Sequence, residues 1–447
     1  MNKVLILGSG MVAGPIIQYL LNKGIYVTIA SNTVERAEKL LANNPKGKVV
    51  FWDANEADKL DEFIIEHDLT VSLLPYAFHV MVAEKCIEHK KNMVTTSYVK
   101  PEMYALDQKA KDANIIILNE CGLDPGIDHM SAKRIIDTVH GFGGKIKEFY
   151  SICGALPAPE SSKDNPFRYK FSWSPKGVVL AGNNSASYLK HKNKVEVKTE
   201  NLFKDTFRLK VSGVEELDVY PNRDSLPYID LYDIPETDTI FRGTFRFKGW
   251  CESLDALKTL KLTIQDTHDF TGMTYAQMMA QMIGAKDSKN IKKQVADYLN
   301  IAIDADAIKS MEFLGLFDEN LMNRKKESTY EIVSDLMIEK MMMDDKKERD
   351  MSVMQHIFLA EYPDGRKEVI KSRLLDYGIP GKDTSIARTV ALPAACAVNM
   401  ILQHEIQIKG VHIPVLPEIY NPIMDELENM GIEMIEEYGL PLSENID

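Results

Sequence analysis

The stretch KVLILGSGMVAGPIIQYLL, residues 3–21, decides the fold of the amino-terminal part of the chain. It reads as an apolar strand over Lys3–Leu7, a glycine-rich turn and an apolar helix. Gly8 permits the tight turn, Gly10 lets a phosphate approach the backbone, and Ala13 lets the helix pack closely on the strand. Because free N–H groups at a helix N-terminus bind phosphate, this G-x-G-x-x-A pattern predicts a dinucleotide site.

Five further apolar segments follow, and helical patterns such as Val34–Leu41 and Ala57–Glu66 lie between them. This alternation predicts an α/β fold with a doubly wound parallel sheet, that is, a Rossmann domain. A Rossmann-like sheet that binds no dinucleotide is the minor alternative. The further predicted strands are Tyr26–Ala30, Lys48–Trp52, Thr70–Leu74, Met93–Ser97 and Ile115–Asn119.

Ligands of such sheets bind beyond the carboxyl ends of the strands, so we expect the cofactor to contact the loops there. No carboxylate stands at the end of the second strand, which favours NADP over NAD. Arg36, nearby, is equally well explained as a phosphate contact or as a solvated helix residue. The predicted cofactor-binding residues are Gly8, Ser9, Gly10, Met11, Val12, Ser31, Asn32, Thr33, Asp53, Ala54, Leu74, Thr96, Ser97, Leu123 and Pro125.

Size and composition exclude several classes of protein. The 447 residues are too many for one core and predict two or three domains. A net charge of −13 disfavours nucleic acid as a partner. No apolar run approaches the roughly 20 residues of a membrane span, and no secretory signal is visible. The 5 cysteines are scattered, without C-x-x-C spacing. We therefore expect a cytoplasmic protein with neither disulfides nor a metal site.

Longer motifs lie in the rest of the chain. They are CGLDPGIDHM at 121–130, YKFSWSP at 169–175, YPNRDS at 220–225 and RGTFR at 242–246. In these motifs the chain resembles the glutamate-forming saccharopine dehydrogenase family, and the resemblance covers nearly its whole length. The family pattern has Tyr-Cys-Gly-Gly where this chain has Ile-Cys-Gly-Ala at 152–155, which is a mild departure.

The resemblance implies a Rossmann domain, an α/β substrate domain with a mixed sheet and a mostly helical insertion. We place the Rossmann domain at 1–123 plus about 383–447, the substrate-binding domain at 124–258 plus 348–382, and the insertion at 259–347. The patterns agree with this division. They predict helices at Thr274–Gly284, Ser288–Leu299, Thr329–Met343 and Thr389–Gln403, and a hairpin of Met351–Tyr362 with Arg366–Leu375.

The implied reaction is the NAD(P)-dependent interconversion of saccharopine with L-glutamate and 2-aminoadipate 6-semialdehyde in lysine metabolism, carried out by a homodimer. Two alternatives stay open at this point. One is a carboxynorspermidine-type dehydrogenase of polyamine synthesis, which needs fewer groups that bind carboxylates. The other is a non-catalytic dinucleotide-binding sensor.

Resemblance and position both point to Tyr98, Asp124 and Cys153 as catalytic residues. Asp124 either accepts a proton, holds the substrate amine or merely stabilises the Asp-Pro-Gly turn. Cys153, placed at the end of the first strand of the substrate domain, fits a pocket-lining thiol, since the reaction needs no covalent step. Tyr98 either transfers a proton or binds a substrate carboxylate.

Saccharopine has three carboxylates, which arginine binds well. Residues 242, 244 and 246 alternate along a predicted strand and so share one face, either in the site or solvated and paired with acids. His79 follows the Leu-Pro-Tyr loop at 74–76 and could contact the site there, although we expect it on a helix surface. His129 is expected in a structural role. The predicted substrate-binding residues are Ser97, Tyr98, Asp124, Arg223, Arg242, Thr244 and Arg246.

Overall fold

The computed structural model describes residues 1–446, except for the side chains of residues 57 and 58; the predicted Rossmann segment therefore ends one residue beyond the description, at Asp447. The strands are, in chain order, β1 (Lys3–Leu7), β2 (Tyr26–Ser31), β3 (Gly47–Phe51), β4 (Leu69–Ser72), β5 (Asn92–Thr95), β6 (Ile116–Leu118), β7 (Lys145–Pro157), β8 (Ala186–Lys190), β9 (Asn193–Val197), β10 (Phe207–Lys210), β11 (Glu216–Pro221), β12 (Thr239–Arg246), β13 (Thr267–Asp269), β14 (Lys326–Ser328), β15 (Asp350–Glu361), β16 (Lys367–Tyr377), β17 (Gly410–His412) and β18 (Ile435–Leu440).

The α-helices occupy most of the chain between these strands. They are α1 (Ala13–Asn22), α2 (Val34–Leu41), α3 (Ala57–Ile65), α4 (His79–Glu88), α5 (Pro101–Tyr104), α6 (Asp107–Asp112), α7 (Ile127–Gly141), α8 (Pro175–Ala181), α9 (Pro227–Leu231), α10 (Trp250–Thr259), α11 (Tyr275–Ile283), α12 (Ile291–Leu299), α13 (Asp306–Leu314), α14 (Thr329–Met341), α15 (Ser385–Leu402) and α16 (Pro417–Asn429).

The chain divides into two compact units. The first consists of Met1–Ile146 and Ala360–Pro441, and the second of Lys147–Leu359 and Leu442–Asp447. The helical segment that we placed at 259–347 belongs to the second unit. Our division into three domains at the boundaries given above stays a prediction.

The first unit contains a parallel sheet with the strand order β17-β6-β5-β4-β1-β2-β3. All six strands predicted for this sheet form, so the doubly wound architecture is confirmed. The seventh strand, β17, comes from the carboxyl-terminal part of the chain and pairs with β6. The central strands β1 and β4 are almost wholly buried, as continuous apolar runs in a parallel sheet should be.

Several strands end earlier than the apolar pattern suggests. β4 ends at Ser72 and β5 at Thr95, whereas we predicted that they continue to Leu74 and Ser97. The chain turns away from the sheet after these residues. Side chains predicted to contact a ligand therefore lie in the loops at the carboxyl edge, where such sheets bind ligands.

The long apolar helix α15 begins at Ser385 rather than at the predicted Thr389. The side chain of Thr384 caps it by accepting a hydrogen bond from the Ala387 backbone at 3.1 Å. With 18 residues and a mean hydropathy of 1.5, α15 could cross a membrane by length and composition alone. However, 78% of it is buried within the protein, which is typical of a core helix.

The second unit contains a mixed sheet with the order β10-β11-β12-β7-β15, and β8 pairs with both β12 and β9. β12 runs parallel to β7 and antiparallel to β11. The helices predicted in this unit form as α11, α12 and α14, and α11 begins with a capping box of Thr274 and Gln277.

Candidate functional site

The glycine turn leaves a space at the N-terminus of α1. Gly8 has φ +102°, and a Cβ on it would lie 3.2 Å from the carbonyl oxygen of Leu73. A Cβ on Gly10, in contrast, would meet no atom within 4 Å, so the backbone there faces open space. Val12, at the N-cap of α1, makes no side-chain capping hydrogen bond. These features fit a pyrophosphate, because the N–H groups of the first helical turn are left for a ligand.

The end of β2 carries hydroxyl and amide groups beside this turn. The hydroxyl groups of Ser9 and Ser31 lie 2.8 Å apart, and the Ser31 oxygen accepts a hydrogen bond from the Thr33 backbone at 3.0 Å. Ser31 is therefore buried and links the turn to the strand, while Asn32 and Thr33 are exposed. The exposed pair is available to an adenosine ribose and its 2′-phosphate.

Asp53 lies near the same edge, just after β3. Hydrogen bonds from the backbone and side chain of Asn55, and a further one from the side chain of Asn32, lower the pKa of Asp53. Asp53 is half-buried, and its lowered pKa keeps the carboxylate charged near pH 7. It stands beside Asn32 and leaves the β2 tip itself without an acidic residue.

Tyr98 and Asp124, two of the predicted catalytic residues, lie together in the first unit. The Tyr98 hydroxyl donates a hydrogen bond to Oδ1 of Asp124 at 2.8 Å. Tyr98 follows β5, and Asp124 lies in the loop that joins β6 to α7. A phenol and a carboxylate in contact form a pair that can hold and release a proton.

The loop that carries Asp124 is closed by its own backbone. The Gly122 N–H donates to the Pro125 carbonyl at 3.0 Å. A Cβ on Gly126 (φ +148°) would lie 2.0 Å from the Gly122 carbonyl oxygen, so only glycine fits. The carboxylate that accepts the Gly126 N–H, at 2.6 Å, is Asp128. Asp128 thus helps to stabilise this turn, and the roles that we considered for Asp124 stay predictions.

A buried acid and a buried histidine stabilise this loop through hydrogen bonds. Glu120 accepts the Val99 N–H at 2.8 Å, and its second oxygen lies 2.6 Å from Nε2 of His129. His129 is fully buried, which confirms its predicted structural role. Glu120 fixes the segment on which Tyr98 stands; the sequence placed it at the carboxyl edge but did not indicate this role.

His79 is not on a helix surface, and our prediction for it was wrong. It is the first residue of α4 and is only 3% exposed. Its Nδ1 lies 2.9 Å from the Ser72 hydroxyl and its Nε2 lies 2.8 Å from the Ser97 hydroxyl. Burial lowers the pKa of His79 to about 4, so the ring is neutral near pH 7. The prediction failed because its polar partners come from two other segments of the chain.

In the second unit, the loop of Arg223 is tied to β12. The Asn222 N–H donates to the Arg242 carbonyl at 2.8 Å, and the Arg242 N–H donates to the Ser225 hydroxyl at 2.9 Å. Arg223 has φ +57°, its carbonyl accepts from the Ser187 N–H at 2.9 Å, and its side chain is exposed. The structure thus brings the backbones of Arg223 and Arg242 together, as a shared carboxylate-binding wall requires.

Arg242 and Arg246 lie on β12 as predicted, but neither is solvated: they are 3% and 4% exposed. This rules out the alternative of a solvated strand face. The Arg242 guanidinium lies over the ring of Tyr228 and donates to its hydroxyl. Thr244, between the two arginines, is half-buried and lies opposite Cys153 of β7.

Arg246 sits in an aromatic box. Its guanidinium carbon lies 5.3, 5.7 and 5.4 Å from the ring centres of Tyr169, Tyr220 and Trp250. Nη1 donates to the Phe245 carbonyl at 2.9 Å and Nη2 to the Tyr220 hydroxyl at 3.5 Å, whereas Nε has no hydrogen-bond partner. These partners are neutral, and the described residues contribute no carboxylate to an ion pair with this arginine. A guanidinium is always charged, and a buried charge needs an opposite charge. An anionic ligand group would supply it.

Cys153 lies inside β7, not at its end, because the strand continues through the buried residues Leu156 and Pro157. The thiol is 8% exposed.

Among the predicted cofactor contacts, Leu123 and Pro125 are buried in the closed loop, whereas Ala54, Leu74 and Thr96 are partly exposed beyond their strands. The contacts of all these residues with a ligand stay predictions.

The described residues include one group that could hold a metal ion, formed by Asp61, Glu88 and His89. The Asp61 carboxylate already pairs with Lys85 at 2.7 Å and with His89 at 2.7 Å. Such exposed acidic groups are common without an ion, so the expectation that the protein binds no metal stays a prediction.

Comparison with known proteins identifies both halves of the chain. Residues 4–118 match the model of the saccharopine dehydrogenase NADP binding domain, and residues 122–432 match that of the saccharopine dehydrogenase C-terminal domain. Saccharopine dehydrogenase [NADP(+), L-glutamate-forming] of Pyricularia oryzae is 38% identical over 428 residues, covering 94% of each chain. The mitochondrial alpha-aminoadipic semialdehyde synthase of Rattus norvegicus is 36% identical over 94% of this chain but only 46% of its own length.

A solved structure gives the same result. The apo, histidine-tagged saccharopine dehydrogenase (L-Glu forming) from Saccharomyces cerevisiae is 37% identical, and it matches 98% of this chain and 100% of its own with a TM-score of 0.90.

The open space at Gly10 generates a prediction. Gly10→Ala should weaken dinucleotide binding by about tenfold or more, because the new methyl group occupies the space in front of the first helical turn. The thermal unfolding midpoint of the free protein should not change, since that Cβ meets no atom within 4 Å. Titration of cofactor by fluorescence and a thermal melt test both points.

Gly8→Ala is the contrasting variant. It should lower the unfolding midpoint, because it combines a positive φ with a Cβ that presses on Leu73. Equal cofactor affinity for the wild type and Gly10→Ala would contradict the placement of the pyrophosphate.

Proposed function

We propose, on the premise that the chain belongs to the saccharopine dehydrogenase family, that it interconverts saccharopine with L-glutamate and 2-aminoadipate 6-semialdehyde. It is an oxidoreductase of lysine metabolism that acts on a CH–NH bond. The preference for NADP inferred from the β2 tip agrees with the NADP binding domain at residues 4–118 and with the NADP-dependent relatives, and the cofactor is NADP.

The reaction oxidises the carbon that joins the lysine part of saccharopine to the secondary amine. When bound, NADP supplies the hydride acceptor. The resulting imine takes up water, and the carbinolamine breaks into glutamate and the semialdehyde. The protein must bind the carboxylates, orient the reacting carbon and move protons to and from the amine and water.

The residues of the first unit would hold the dinucleotide. The backbone of Gly10 and the first turn of α1 would bind the pyrophosphate, and the exposed Asn32 and Thr33 would bind the 2′-phosphate. The space in front of Gly10, which a Cβ would fill, is the feature of this structure that fits the group.

Asp124 is the group that we assign to proton transfer. Its carboxylate accepts a hydrogen bond from the Tyr98 hydroxyl at 2.8 Å, which holds the two side chains in contact. Asp124 can then take a proton from the substrate amine or from the attacking water. Cys153 serves as a lining residue, since no step requires a covalent bond to the protein.

The observation that carries the proposal is the buried, unpaired charge of Arg246 in its aromatic box. A substrate carboxylate would complete it, and the exposed Arg223 would bind another. A polyamine precursor has fewer carboxylates, so the carboxynorspermidine alternative is not favoured. The similar proteins of Pyricularia oryzae and Saccharomyces cerevisiae are named as dehydrogenases, which argues against a sensor.

We also propose that the protein acts in the cytoplasm as a homodimer and takes only small molecules as partners. The net charge of −13 supports the exclusion of nucleic acid. The burial of α15 supports the exclusion of a membrane. Light scattering with size-exclusion chromatography measures the oligomeric state directly.

The reaction is tested by following the absorbance of reduced nicotinamide when the purified protein meets saccharopine. We expect reduction of NADP, with release of glutamate rather than lysine, and slower or no reduction of NAD. Binding of NADP without turnover of saccharopine would overturn the proposed function and favour the sensor.

The choice of cofactor is tested at the tip of β2. Asn32→Asp should lower the ratio of NADP to NAD efficiency by about tenfold or more, because a carboxylate there repels the 2′-phosphate. Asn55→Asp is the matched control, since it also adds a charge next to Asp53 but lies beyond β3. An unaltered ratio in Asn32→Asp would show that the β2 tip does not select the cofactor.

Binding of the substrate carboxylates is tested with Arg223→Ala. Loss of a charge-assisted hydrogen bond, worth about 1.5–3 kcal/mol, should raise the KM for saccharopine roughly tenfold to a hundredfold. The KM for NADP should stay the same. Arg208→Ala, an exposed arginine of β10, should change neither constant. Unchanged saccharopine kinetics in Arg223→Ala would remove this residue from the site.

A further inference from the structure

A short chain of polar groups is buried beneath the carboxyl ends of β4 and β5. His79 stands between two serine hydroxyl groups, with Nδ1 2.9 Å from Ser72 and Nε2 2.8 Å from Ser97. Ser72 is fully buried and His79 is 3% exposed, whereas Ser97 is partly exposed. The chain therefore runs from the interior of the sheet to a residue that a ligand can reach.

The imidazole in this chain is held in its neutral form. Burial lowers the pKa of His79 to about 4, and the N-terminus of α4 adds a positive dipole end that disfavours a charged ring. A neutral imidazole has one donor nitrogen and one acceptor nitrogen. The ring therefore fixes which part of the Ser97 hydroxyl, its proton or its lone pairs, is left for a ligand.

Ser97 stands where this hydroxyl matters. β5 pairs with β4, and β4 pairs with β1, whose glycine turn would hold the dinucleotide. Ligands of such sheets bind at this edge. The Ser97 carbonyl accepts the Glu120 N–H at 3.1 Å, which fixes its backbone. The next residue, Tyr98, contacts Asp124.

We propose that His79 is a positioning residue, which holds the Ser97 hydroxyl in one orientation toward the reacting ligands. The kinetic test of this inference rests on the proposed function. His79 itself does not contact the ligands and transfers no proton. His79 affects the reaction through Ser97. Substitution of His79 should therefore change kcat more than it changes the affinity for the cofactor.

Two substitutions test the hydrogen bonds of the two ring nitrogens one at a time. Asparagine places an amide near the position of Nδ1 and can still reach Ser72, while glutamine places one near Nε2 and can still reach Ser97. His79→Asn should lower the kcat for saccharopine oxidation by about tenfold or more, with the KM for NADP nearly unchanged. His79→Gln should stay within about threefold of the wild type.

His67 provides the matched control. It is also buried, at 2% exposure, and its ring nitrogens lie 2.6 Å from the Phe63 carbonyl and 2.7 Å from the Thr28 hydroxyl. It precedes β4 and so lies away from the carboxyl edge. His67→Asn should lower the thermal midpoint as His79→Asn does, without lowering kcat.

A double variant tests whether His79 acts through Ser97. If it does, His79→Asn combined with Ser97→Ala should lose no more activity than Ser97→Ala alone. Equal kcat values for the asparagine and glutamine variants, or additive losses in the double variant, would overturn the inference.

A second measurement does not depend on turnover. In protein with ¹⁵N-labelled histidine, NADP added with L-glutamate should shift the ring signals of His79 and leave those of His67 in place. A His79 signal that these two ligands do not move would overturn the inference. An inactive wild type whose His79 signal does shift would instead overturn only the proposed saccharopine reaction.

Discussion

The close approach of Gly8 to the backbone of Leu73 is the constraint on which the first unit depends. Gly8 has φ +102°, and a Cβ built on it would lie 3.2 Å from the Leu73 carbonyl oxygen. Glycine is therefore the residue that fits this position without strain. The turn is held on both sides, because Gly8 donates to the Ala30 carbonyl at 2.9 Å and Leu73 donates to that of Leu7 at 3.0 Å. The end of β1 is thereby fixed between β2 and β4, and α1 starts with its N–H groups directed to the carboxyl edge. Every ligand contact assigned to this edge follows from that placement.

Much of the first unit could be predicted, because a buried parallel strand leaves a continuous apolar run in the sequence. The ends of the strands could not. Leu74 and Ser97 continue the pattern of β4 and β5 but belong to loops, and hydrogen bonds to other segments, not local pattern, decide where the chain turns. β17 was also missed, since three residues carry no usable periodicity and the strand exists only through its pairing with β6.

The candidate site shows the same limit more sharply. Alternation correctly predicted β12 and its arginines, but not that they are buried, because the walls around Arg246 come from Tyr169, Tyr220 and Trp250 in three separate segments. His79 gave no signal either, since its partners lie 7 and 18 residues away on other elements. Tyr98 and Asp124 were identified only by combining their positions after strands with a family resemblance.

The two units deal with buried polar groups in opposite ways. An imidazole in the interior can give up its proton, and His79 does so, becoming a neutral group that orients a hydroxyl. A guanidinium cannot, so Arg246 must keep its charge behind aromatic rings that stabilise a cation but do not neutralise it. The first arrangement is complete without a ligand. The second is completed only by an anion, and saccharopine, with three carboxylates on one flexible chain, is a substrate whose recognition requires such incomplete charges.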